Sequence, residues 1–425
     1  MKNKLYNFTY TSFLKSKIYH PKNIKELKKY IEEKHTIVGN RRSYGDSFVG
    51  KKKIISLSKF DKILNIDRKN KIAEIEGGVA LFKLIKHTLP KNLLLTCMPG
   101  CKYVSIGGMI ANNVTGKLIK KNSIKNFVKS ITIIDRNNKV IDCSRFKNKE
   151  LFNLTIGGKG RTGPIISAKL NLEKINSNKV FQKTLHFKNY KEFFLKLKKL
   201  KNYKYAVCWL DFTKKNFEGI IFVGFHFGKK NKIKYTFNDY KLPAFLVNII
   251  SLFASSKFFT IFFNKVFKLK YTLSRNKITD INSFYFPQNK LLNWNDFFKD
   301  KGFIQFNFFF KKKNIIEIVE TLKKKLFSEN IHSNFAVIKF HDNNDKNPEN
   351  LSLSLDFPLK DNFKNIQKIV NYTVNRFDID VNLSKDIILK KINKKTLNSN
   401  PVFNPKMKKY FIKNYISNLF DRIKV

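Results

Sequence analysis

Apolar and polar positions change their spacing several times along the chain, as expected for a mixture of helices and strands. Ile24, Leu27 and Ile31 recur at the spacing of an amphipathic helix, and Asn23 stands where that helix needs an N-terminal cap. The run IISAKLNL after Pro164 alternates with a period of two, as a half-buried strand does. These patterns predict an α+β fold.

The rest of the chain continues this alternation. In the amino-terminal part the pattern predicts strands over HTIV, IISL, IAEIEGG and LLLTC, helices over 79–89 and from Lys149, a hairpin that turns at 136–138, and a strand over 164–172. From about Val180, strand-like runs such as YAVCWLDFT and EGIIFVGFHFG alternate with helical ones. A length of 425 residues predicts two domains, or one domain with a large insertion.

Glycine is concentrated in three short loops, and the central loop has the most demanding pattern. Gly107 and Gly108 come just after Ser105 and Ile106, and their lack of a Cβ allows their N–H groups to approach a phosphate or a flat ring. A turn of helix that begins here would also present free N–H groups to an anion. The pattern favours a diphosphate cofactor, while a tight turn between two core elements remains the alternative. The three loops are residues 38–47, 99–117 and 156–163.

The third loop contains a formal G-x-G-x-x-G motif in Gly158, Gly160 and Gly163. A Rossmann nucleotide site requires a helix after this motif. Here Pro164 and an alternating strand follow, so the sequence excludes a Rossmann site.

The charge of the chain is extreme, with 85 Lys and Arg against 31 Asp and Glu and a formal net charge of +54. Such a charge is typical of proteins that bind nucleic acid or an anionic membrane. The lysines, however, are spread over almost every segment and arginine is scarce, whereas a nucleic-acid groove concentrates arginines and exposed aromatic residues. We therefore interpret the charge mainly as compositional drift toward A/T-rich codons, and expect no specific nucleic acid.

Cysteine usage and the amino terminus bear on location. The four cysteines form no C-x-x-C pair, and no nearby histidine completes a zinc set, so we expect reduced thiols and no metal. The start MKNKLYNFTYTSF lacks an apolar signal core, which predicts a cytoplasmic protein. The cysteines are Cys97, Cys101, Cys143 and Cys208.

The most apolar stretch covers residues 243–267, where Lys257 interrupts the apolar run. A membrane-spanning helix needs about 20 uninterrupted apolar residues, so none is expected. One helix side carries apolar residues with lysines flanking the stretch, which predicts an interfacial segment. These apolar residues are Phe245, Leu246, Ile249, Leu252 and Phe253. An ordinary pair of core helices is the alternative.

The three glycine loops carry longer motifs: residues 42–46 are RSYGD, residues 99–108 are PGCKYVSIGG and residues 157–163 are GGKGRTG. In this order they resemble the flavin domain of the vanillyl-alcohol-oxidase/PCMH family of FAD oxidoreductases, and within it the decaprenylphosphoryl-ribose 2′-oxidase branch. Weaker matches extend the resemblance over nearly the whole chain. They are 209–211, 302–306, 335–339, 353–358, 383–386 and 417–422.

The resemblance implies an α+β fold with a two-lobed PCMH-type FAD-binding domain over residues 1–178. An inserted α+β substrate (cap) domain would cover residues 179–380, and residues 381–425 would return to the FAD domain. The family's pattern places the cofactor-binding residues as follows: Gly39, Arg42, Ser43, Tyr44, Gly45, Asp46, Pro99, Gly100, Tyr103, Ser105, Gly107, Gly108, Asn112, Thr115, Gly116, Gly158, Gly160, Thr162, Gly163 and Ile165.

Two positions depart from the family's pattern. Thr115 replaces the histidine of a V-H-G-K segment. In many members of the wider family a histidine forms the covalent bond to the flavin. Since neither the first nor the second glycine loop contains a histidine, we predict that FAD is bound non-covalently. Arg41 stands where relatives usually have glycine, and its side chain disfavours the left-handed conformation. Either the loop bends differently there, or Arg41 itself faces the phosphates.

The resemblance also implies catalytic and substrate residues. Lys385 would stabilise the negative charge of the reduced flavin, with Lys117 as the second candidate. Gln305 and Asn307 alternate with aromatic residues and share one strand face, which would look toward a sugar or form the polar side of an edge strand. The predicted substrate-binding residues are Gln305, Asn307, Lys339 and Ser354.

The expected function is oxidation of a secondary hydroxyl of a sugar by hydride transfer to flavin N5. A polyprenyl-phosphate-linked pentose is the expected substrate, in cell wall polysaccharide biosynthesis, with a short-chain reductase as partner. Peripheral membrane contact at the inner face of the bacterial plasma membrane is also expected. The first alternative is a soluble FAD oxidase or dehydrogenase of a free sugar, aldonolactone or polyol. The second is a non-catalytic basic binder of nucleic acid or membrane surfaces.

Overall fold

The computed structural model describes residues 5–14, 17–47, 49, 53–228, 239–341, 350–359, 362–382, 400–403, 405–412 and 414–423. The strands in these residues are β1 Leu5–Tyr6, β2 Phe13–Leu14, β3 Ile18–Tyr19, β4 His35–Val38, β5 Lys53–Ser56, β6 Ile63–Asp67, β7 Ile72–Glu76, β8 Leu93–Leu94, β9 Val128–Ile134, β10 Val140–Ser144, β11 Ile165–Asn171, β12 Glu173–Lys174, β13 Lys179–Phe187, β14 Tyr205–Leu210, β15 Gly219–His226, β16 Asn276–Asp280, β17 Phe303–Lys311, β18 Phe335–His341, β19 Asn350–Pro358 and β20 Asp380–Val381. The α-helices are α1 Ile24–Ile31, α2 Leu81–Thr88, α3 Ile106–Ala111, α4 Lys149–Thr155, α5 Tyr190–Leu197, α6 Ala244–Ala254, α7 Lys257–Leu273, α8 Ile281–Tyr285, α9 Ile315–Ser328, α10 Phe363–Phe377 and α11 Asn418–Ile423.

The predicted first helix forms because its N-terminus is capped from both sides. The Asn23 side chain accepts a hydrogen bond from the Glu26 N–H at 2.9 Å, and the Glu26 carboxylate accepts from the Lys22 N–H at 2.9 Å. Leu27 and Ile31 are buried on the inner side of α1. Beside it β3, β5 and β4 form a parallel three-stranded sheet in that spatial order.

A five-stranded antiparallel sheet, in the order β10-β9-β11-β7-β6, forms the second part of the amino-terminal half. Strand β11 lies in its centre, with Ile165, Ala168 and Leu170 buried. The strand after Gly163 is therefore confirmed, and with it the exclusion of a Rossmann site. The predicted hairpin is also confirmed as β9 and β10, and Asn138 takes the left-handed conformation at its turn.

An eight-stranded sheet occupies the carboxyl-terminal half, in the order β16-β13-β15-β14-β18-β19-β17-β20 with antiparallel neighbours. One face packs in a large core with α5, α9 and α10, and the strands contribute side chains such as Phe306, Phe308, Leu353 and Leu355. Alternate residues of β17 and β19 must point to the opposite face. The α+β fold class is confirmed.

Helices α6 and α7 depart from ordinary core helices. They meet at an angle of 106°, and most of their large apolar side chains are exposed. Among the described residues no single helix is long and apolar enough to cross a membrane, and this pair passes such a test of length and composition only when its two bent halves are taken together. The alternative of a core helix pair is therefore wrong.

Candidate functional site

The first and second glycine loops touch each other through main-chain and small side-chain contacts. The Asn40 side-chain amide donates to the Tyr103 carbonyl at 3.0 Å. A Cβ on Gly39 would lie 1.9 Å from Ser105 Oγ, so only glycine fits there without a movement of Ser105. The loop after β4 is thus held against the start of α3.

The third glycine loop reaches α3 from the other end of that helix. Gly157 N–H donates to the Ile110 carbonyl and Lys159 N–H to the Ala111 carbonyl, both at 2.9 Å. At the start of α3, Ser105 Oγ accepts from the Gly108 N–H at 3.3 Å. The structure therefore gathers the three loops around one short helix, although they are far apart in sequence.

Helix α3 also approaches a neighbouring main chain very closely. Gly107 N–H donates to the Gly77 carbonyl at 2.7 Å, and a Cβ on Gly107 would lie 2.9 Å from that oxygen. Gly77 and Gly78 follow β7 directly, and a Cβ on Gly78 would lie 2.0 Å from the Leu57 carbonyl oxygen. This tight main-chain cradle joins the two amino-terminal sheets beside α3.

Several main-chain N–H groups of the first loop have no acceptor among the described residues. Within the part of the chain that the structure describes, the N–H groups of Arg41, Arg42, Ser43 and Gly45 donate no hydrogen bond. Successive main-chain N–H groups of this kind form an anion-binding concavity. Arg41 has φ 54°, the left-handed conformation that its glycine counterpart would adopt easily, so the loop does not bend away.

The first loop is also fixed by the amino-terminal segment. The side chains of Asn7 and Thr9 donate to the Tyr44 carbonyl at 3.0 and 2.7 Å, and the Tyr44 ring stacks on Phe8 with centroids 5.3 Å apart. Burial raises the pKa of the Tyr44 hydroxyl well above its usual range, as does the charge of Asp356. The Tyr44 ring also meets the Phe303 ring of β17 edge-on, with centroids 5.6 Å apart, so this loop lies against the eight-stranded sheet.

Two polar atoms at this site are buried without a partner among the described residues, namely Arg42 Nε and Asn112 Oδ1. The Arg42 guanidinium lies over the Tyr103 ring at 5.5 Å. A buried donor and a buried acceptor left unpaired are costly. Their positions in the first loop and at the end of α3 fit a polar ligand that lies along α3.

The left-handed Arg41 leads to a stability prediction. Replacement by glycine, Arg41→Gly, should raise the free energy of unfolding by about 0.5–1 kcal/mol, because relief of the strain of about 1–2 kcal/mol exceeds the extra chain entropy that glycine loses. Urea unfolding of flavin-free protein measures this difference. A matched variant, Arg68→Gly at a position without a left-handed φ, should not be stabilised. Destabilisation by Arg41→Gly would contradict the argument.

The second loop is anchored by a buried ion pair. Lys102 Nζ lies 2.6 Å from Asp239 Oδ2, in hydrogen-bond contact with Asn282 at 2.7 Å, and its side chain is fully buried. Tyr103 donates its hydroxyl proton to the same carboxylate at 2.5 Å. Because a buried charge pair with further hydrogen bonds tolerates little displacement, this network fixes the Tyr103 ring beneath Arg42.

The eight-stranded sheet turns a polar face toward these loops, and we call it the polar sheet face. Asn307 donates to Ser354 Oγ at 2.7 Å, and Gln305 donates to Asp356 Oδ1 at 2.5 Å, across the β17–β19 ladder. The sequence prediction that Gln305 and Asn307 share a face agrees with this register. The polar sheet face consists of Gln305, Asn307, Lys339, His341, Ser352, Ser354 and Asp356.

Two side-chain contacts connect the polar sheet face to the chain that follows α3. Lys339 Nζ donates to the Thr115 carbonyl at 2.9 Å. Asn122 donates to the Phe340 carbonyl at 2.7 Å and contacts His341 Nδ1 at 2.8 Å. The four predicted substrate residues therefore share one surface, and that surface lies beside Thr115.

His341, Ser352 and Asp356 were not singled out by the sequence analysis. His341 Nε2 lies 2.8 Å from Ser352 Oγ, and burial together with Lys339 lowers the pKa of His341 to about 3, so the imidazole is neutral. Period-two alternation in SLSLDF could have identified Ser352 and Asp356, since Ser354 was already assigned to that face.

Lys117, the second catalytic candidate, is deeply buried. Its Nζ donates to the Phe284 carbonyl, and burial lowers its pKa to about 7, with the Lys339 charge acting in the same direction. The first candidate, Lys385, lies outside the described residues. Both assignments therefore remain predictions.

The depressed pKa of Lys117 gives a pH-dependent stability. Unfolded lysine holds its proton up to about pH 10.4, so between pH 7 and 10 the unfolded chain binds more protons and stability must rise with pH. Relative to Lys117→Met, the free energy of unfolding should rise by up to about 1.4 kcal/mol per pH unit over this range. If the free energies of unfolding of the two proteins, measured with urea, change equally with pH between 7.5 and 9.5, the result would contradict a buried Lys117.

The remaining candidate chemistry of the described residues is limited. All four cysteines are free, and burial raises the pKa of Cys97 to about 12, so its thiol is unreactive at neutral pH. No group of three or more His, Cys, Asp or Glu side chains that could hold a metal ion occurs in the described part of the chain.

Residues 18–144 match the family described as FAD binding domain, so the chain carries an FAD-binding domain that includes the first and second glycine loops. The predicted family resemblance is confirmed at this level, and FAD is its cofactor. The anion-binding loop, the main-chain cradle at α3 and the unpaired Arg42 and Asn112 atoms fit this group.

Comparison with characterised proteins gives relatives of the same kind. The chain is 31% identical over 137 residues to decaprenylphosphoryl-beta-D-ribose oxidase of Mycolicibacterium smegmatis, which covers 32% of this chain and 30% of that protein. It is 30% identical over 125 residues to D-lactate dehydrogenase of Anaerostipes hadrus (28% and 26%) and 23% identical over 158 residues to L-gulonolactone oxidase of Mus musculus (36% and 36%). The matches thus span about a third of each relative or less.

Proposed function

We propose that this protein is an FAD-dependent oxidoreductase that oxidises a secondary hydroxyl of a sugar. The observation that carries the proposal is the position of the polar sheet face beside Thr115, at the end of the FAD-binding loops. The named relatives, which are oxidases and dehydrogenases of ribose derivatives, lactate and lactones, support oxidation of a CH–OH group. We further propose that FAD is held without a covalent bond, because Thr115 offers no imidazole.

When bound, FAD supplies a hydride acceptor for an alcohol carbon. The residues of this chain have other tasks. The loop N–H groups of Arg42, Ser43 and Gly45 would bind the phosphate oxygens of FAD. Asn307 and Ser354 orient sugar hydroxyls through hydrogen bonds, and Lys339 holds a positive charge beside the reacting hydroxyl, where a developing negative charge is stabilised.

Our proposed substrate is a polyprenyl-phosphate-linked pentose, with a short-chain reductase that reduces the ketone product and so completes an epimerisation. Support comes from the name of the decaprenylphosphoryl-ribose oxidase relative and from the exposed apolar side chains of helices α6 and α7. In this proposal the enzyme works in the cytoplasm, at the inner face of the plasma membrane, in cell wall polysaccharide synthesis.

The second candidate function is oxidation of a free sugar, aldonolactone or polyol in solution. It is favoured by the relatives named L-gulonolactone oxidase and, in Arabidopsis thaliana, L-galactono-1,4-lactone dehydrogenase. Against it, the H-W-x-K segment of aldonolactone oxidases does not occur in this sequence.

An absorption spectrum of the purified protein, taken before and after acid precipitation, tests the proposal. We expect a flavin spectrum whose colour remains in the supernatant. Yellow colour in the pellet would contradict non-covalent binding. No flavin after addition of FAD, together with salt-sensitive DNA binding, would replace the oxidoreductase proposal by the basic binder.

The same protein, kept free of oxygen, then identifies the substrate class. Polyprenyl-phosphate-pentose should bleach the flavin at a concentration at which free pentose, aldonolactone and polyol do not. Bleaching by a free lactone or sugar alone would favour the second candidate function.

A further inference from the structure

Helix α7 has its apolar stripe on the side that faces away from the protein. Phe258, Phe262, Val266, Leu269 and Leu273 recur at helical spacing and are 83%, 58%, 49%, 59% and 79% exposed. The two fully buried positions of the same helix are polar, namely Thr260 and Asn264. A soluble amphipathic helix has the opposite arrangement.

Helix α6 continues this surface. Phe245, Ile249, Leu252 and Phe253 are more than half exposed and lie on one helix side, while Val247 and Ala254 are buried. We call these four residues and the five of α7 the exposed apolar face. Scattered exposed apolar residues are ordinary, but nine of them on one side of each of two consecutive helices mark a docking surface.

Polar contacts fix which side of α7 faces outward. Asn264 donates to the Asp211 carboxylate at 2.8 Å, and Thr260 Oγ1 lies 3.1 Å from Asn334 Oδ1. Lys268 pairs with Glu218 at 3.1 Å on the same inner side. Rotation of α7 to bury its apolar stripe would break all three contacts, so these contacts hold the stripe on the outer side of the protein.

The charge around the exposed apolar face indicates its partner. Between Tyr240 and Thr279 the sequence has no acidic residue, and its basic residues apart from the inward-paired Lys268 are Lys241, Lys257, Lys265, Lys270, Arg275 and Lys277. Basic residues beside an apolar helix face attract anionic lipid headgroups. Two copies of a chain with a net charge of +54 would instead repel each other across such a contact.

We propose that α6 and α7 insert their exposed apolar face into the headgroup region of an anionic lipid bilayer and lie along its surface. The bend of 106° suits two short helices that lie in the interface. This docking deepens the membrane location proposed above, which rests on the same two helices, but it requires neither FAD nor substrate and can be tested separately from sugar oxidation.

Vesicle sedimentation tests the proposal on FAD-loaded protein. With vesicles of pure phosphatidylglycerol in 0.1 M salt, we expect the triple variant Phe258→Ser, Phe262→Ser, Leu269→Ser to partition at least about tenfold more weakly than wild type, since both apolar and charge attraction contribute to binding. Phosphatidylcholine vesicles should bind wild type much less. The matched control Leu64→Ser, Val140→Ser, Phe146→Ser changes three exposed apolar residues on the amino-terminal sheet and should bind as wild type does.

Two further results separate the possible outcomes. In the Phe262→Trp variant, the fluorescence of the new tryptophan should shift to shorter wavelength when vesicles are added. Brominated phosphatidylglycerol should quench this fluorescence, which shows insertion directly. Equal binding of both triple variants would overturn the proposal in favour of charge attraction alone. A wild-type dimer in analytical ultracentrifugation that the α7 variant dissociates, without vesicle binding, would overturn it in favour of a second copy. Retained FAD in each variant verifies that the fold is intact.

Discussion

Replacement of Lys339 by methionine should lower the turnover number by about 10²–10³-fold, with FAD still bound. Lys339 Nζ is the cation on the polar sheet face that contacts Thr115, and loss of one preorganised donor at a reacting centre has an effect of this size. Methionine has a similar length and no charge, so the variant removes the cation with little change in side-chain size. Stopped-flow measurement of flavin reduction by the substrate found in the bleaching screen gives the rate.

The matched control for this experiment is Lys169→Met. Lys169 forms an exposed ion pair with Glu74 at 3.5 Å on the amino-terminal sheet, and its loss should leave turnover unchanged. Lys339→Met should also raise the pKa of Lys117, because the charge that helps to lower it is gone. A Lys339→Met enzyme with a turnover number within twofold of wild type would contradict a role of Lys339 at the reacting hydroxyl.

Replacement of Gly163 by alanine should cost at least about 3 kcal/mol in the free energy of unfolding. Gly163 has φ 130°, and a Cβ there would lie 1.9 Å from the Ile134 carbonyl oxygen. A backbone carbonyl in a central sheet cannot move aside as a side chain can. The third glycine loop would therefore shift, and the contacts of Gly157 and Lys159 with α3 would be lost with it.

Urea unfolding of flavin-free protein measures this effect, with Gly100→Ala as the matched control. A Cβ on Gly100 meets nothing within 4 Å, so its stability should stay within about 0.5 kcal/mol of wild type. FAD titration should show weaker binding for Gly163→Ala than for wild type. Equal stability of the two alanine variants would contradict the close approach of Gly163 to β9.

The local elements were predictable because their causes are local. The Asn23 cap, the period of α1 and the alternation after Pro164 depend on residues a few positions apart, and the structure confirms each. Element lengths were less accurate. The predicted strand LLLTC is reduced to Leu93–Leu94, because only these residues find a partner strand, and β6 was missed because its side chains are only partly buried.

The sequence predicted the candidate site where the backbone allows only glycine. Gly39 and Gly107 have no space for a Cβ, so the sequence motif itself marks these positions. Arg41 was expected to resist a left-handed conformation or to face the phosphates, and the fold imposes that conformation nonetheless. The burial of Lys117 left no trace among so many lysines, and neither did the pairing of His341 with Ser352.

The sequence by itself determined the glycine loops and the alternation of strand faces, because short-range sterics and periodicity fix these features, and the family resemblance of the loop motifs indicated FAD. Only the tertiary structure decided which distant segments meet. It placed Lys339 against Thr115, joined Lys102 to Asp239, and turned the apolar stripe of α7 outward through the Asn264 and Thr260 contacts. Those outcomes depend on contacts between residues that are remote in the chain, and no local pattern encodes their distances.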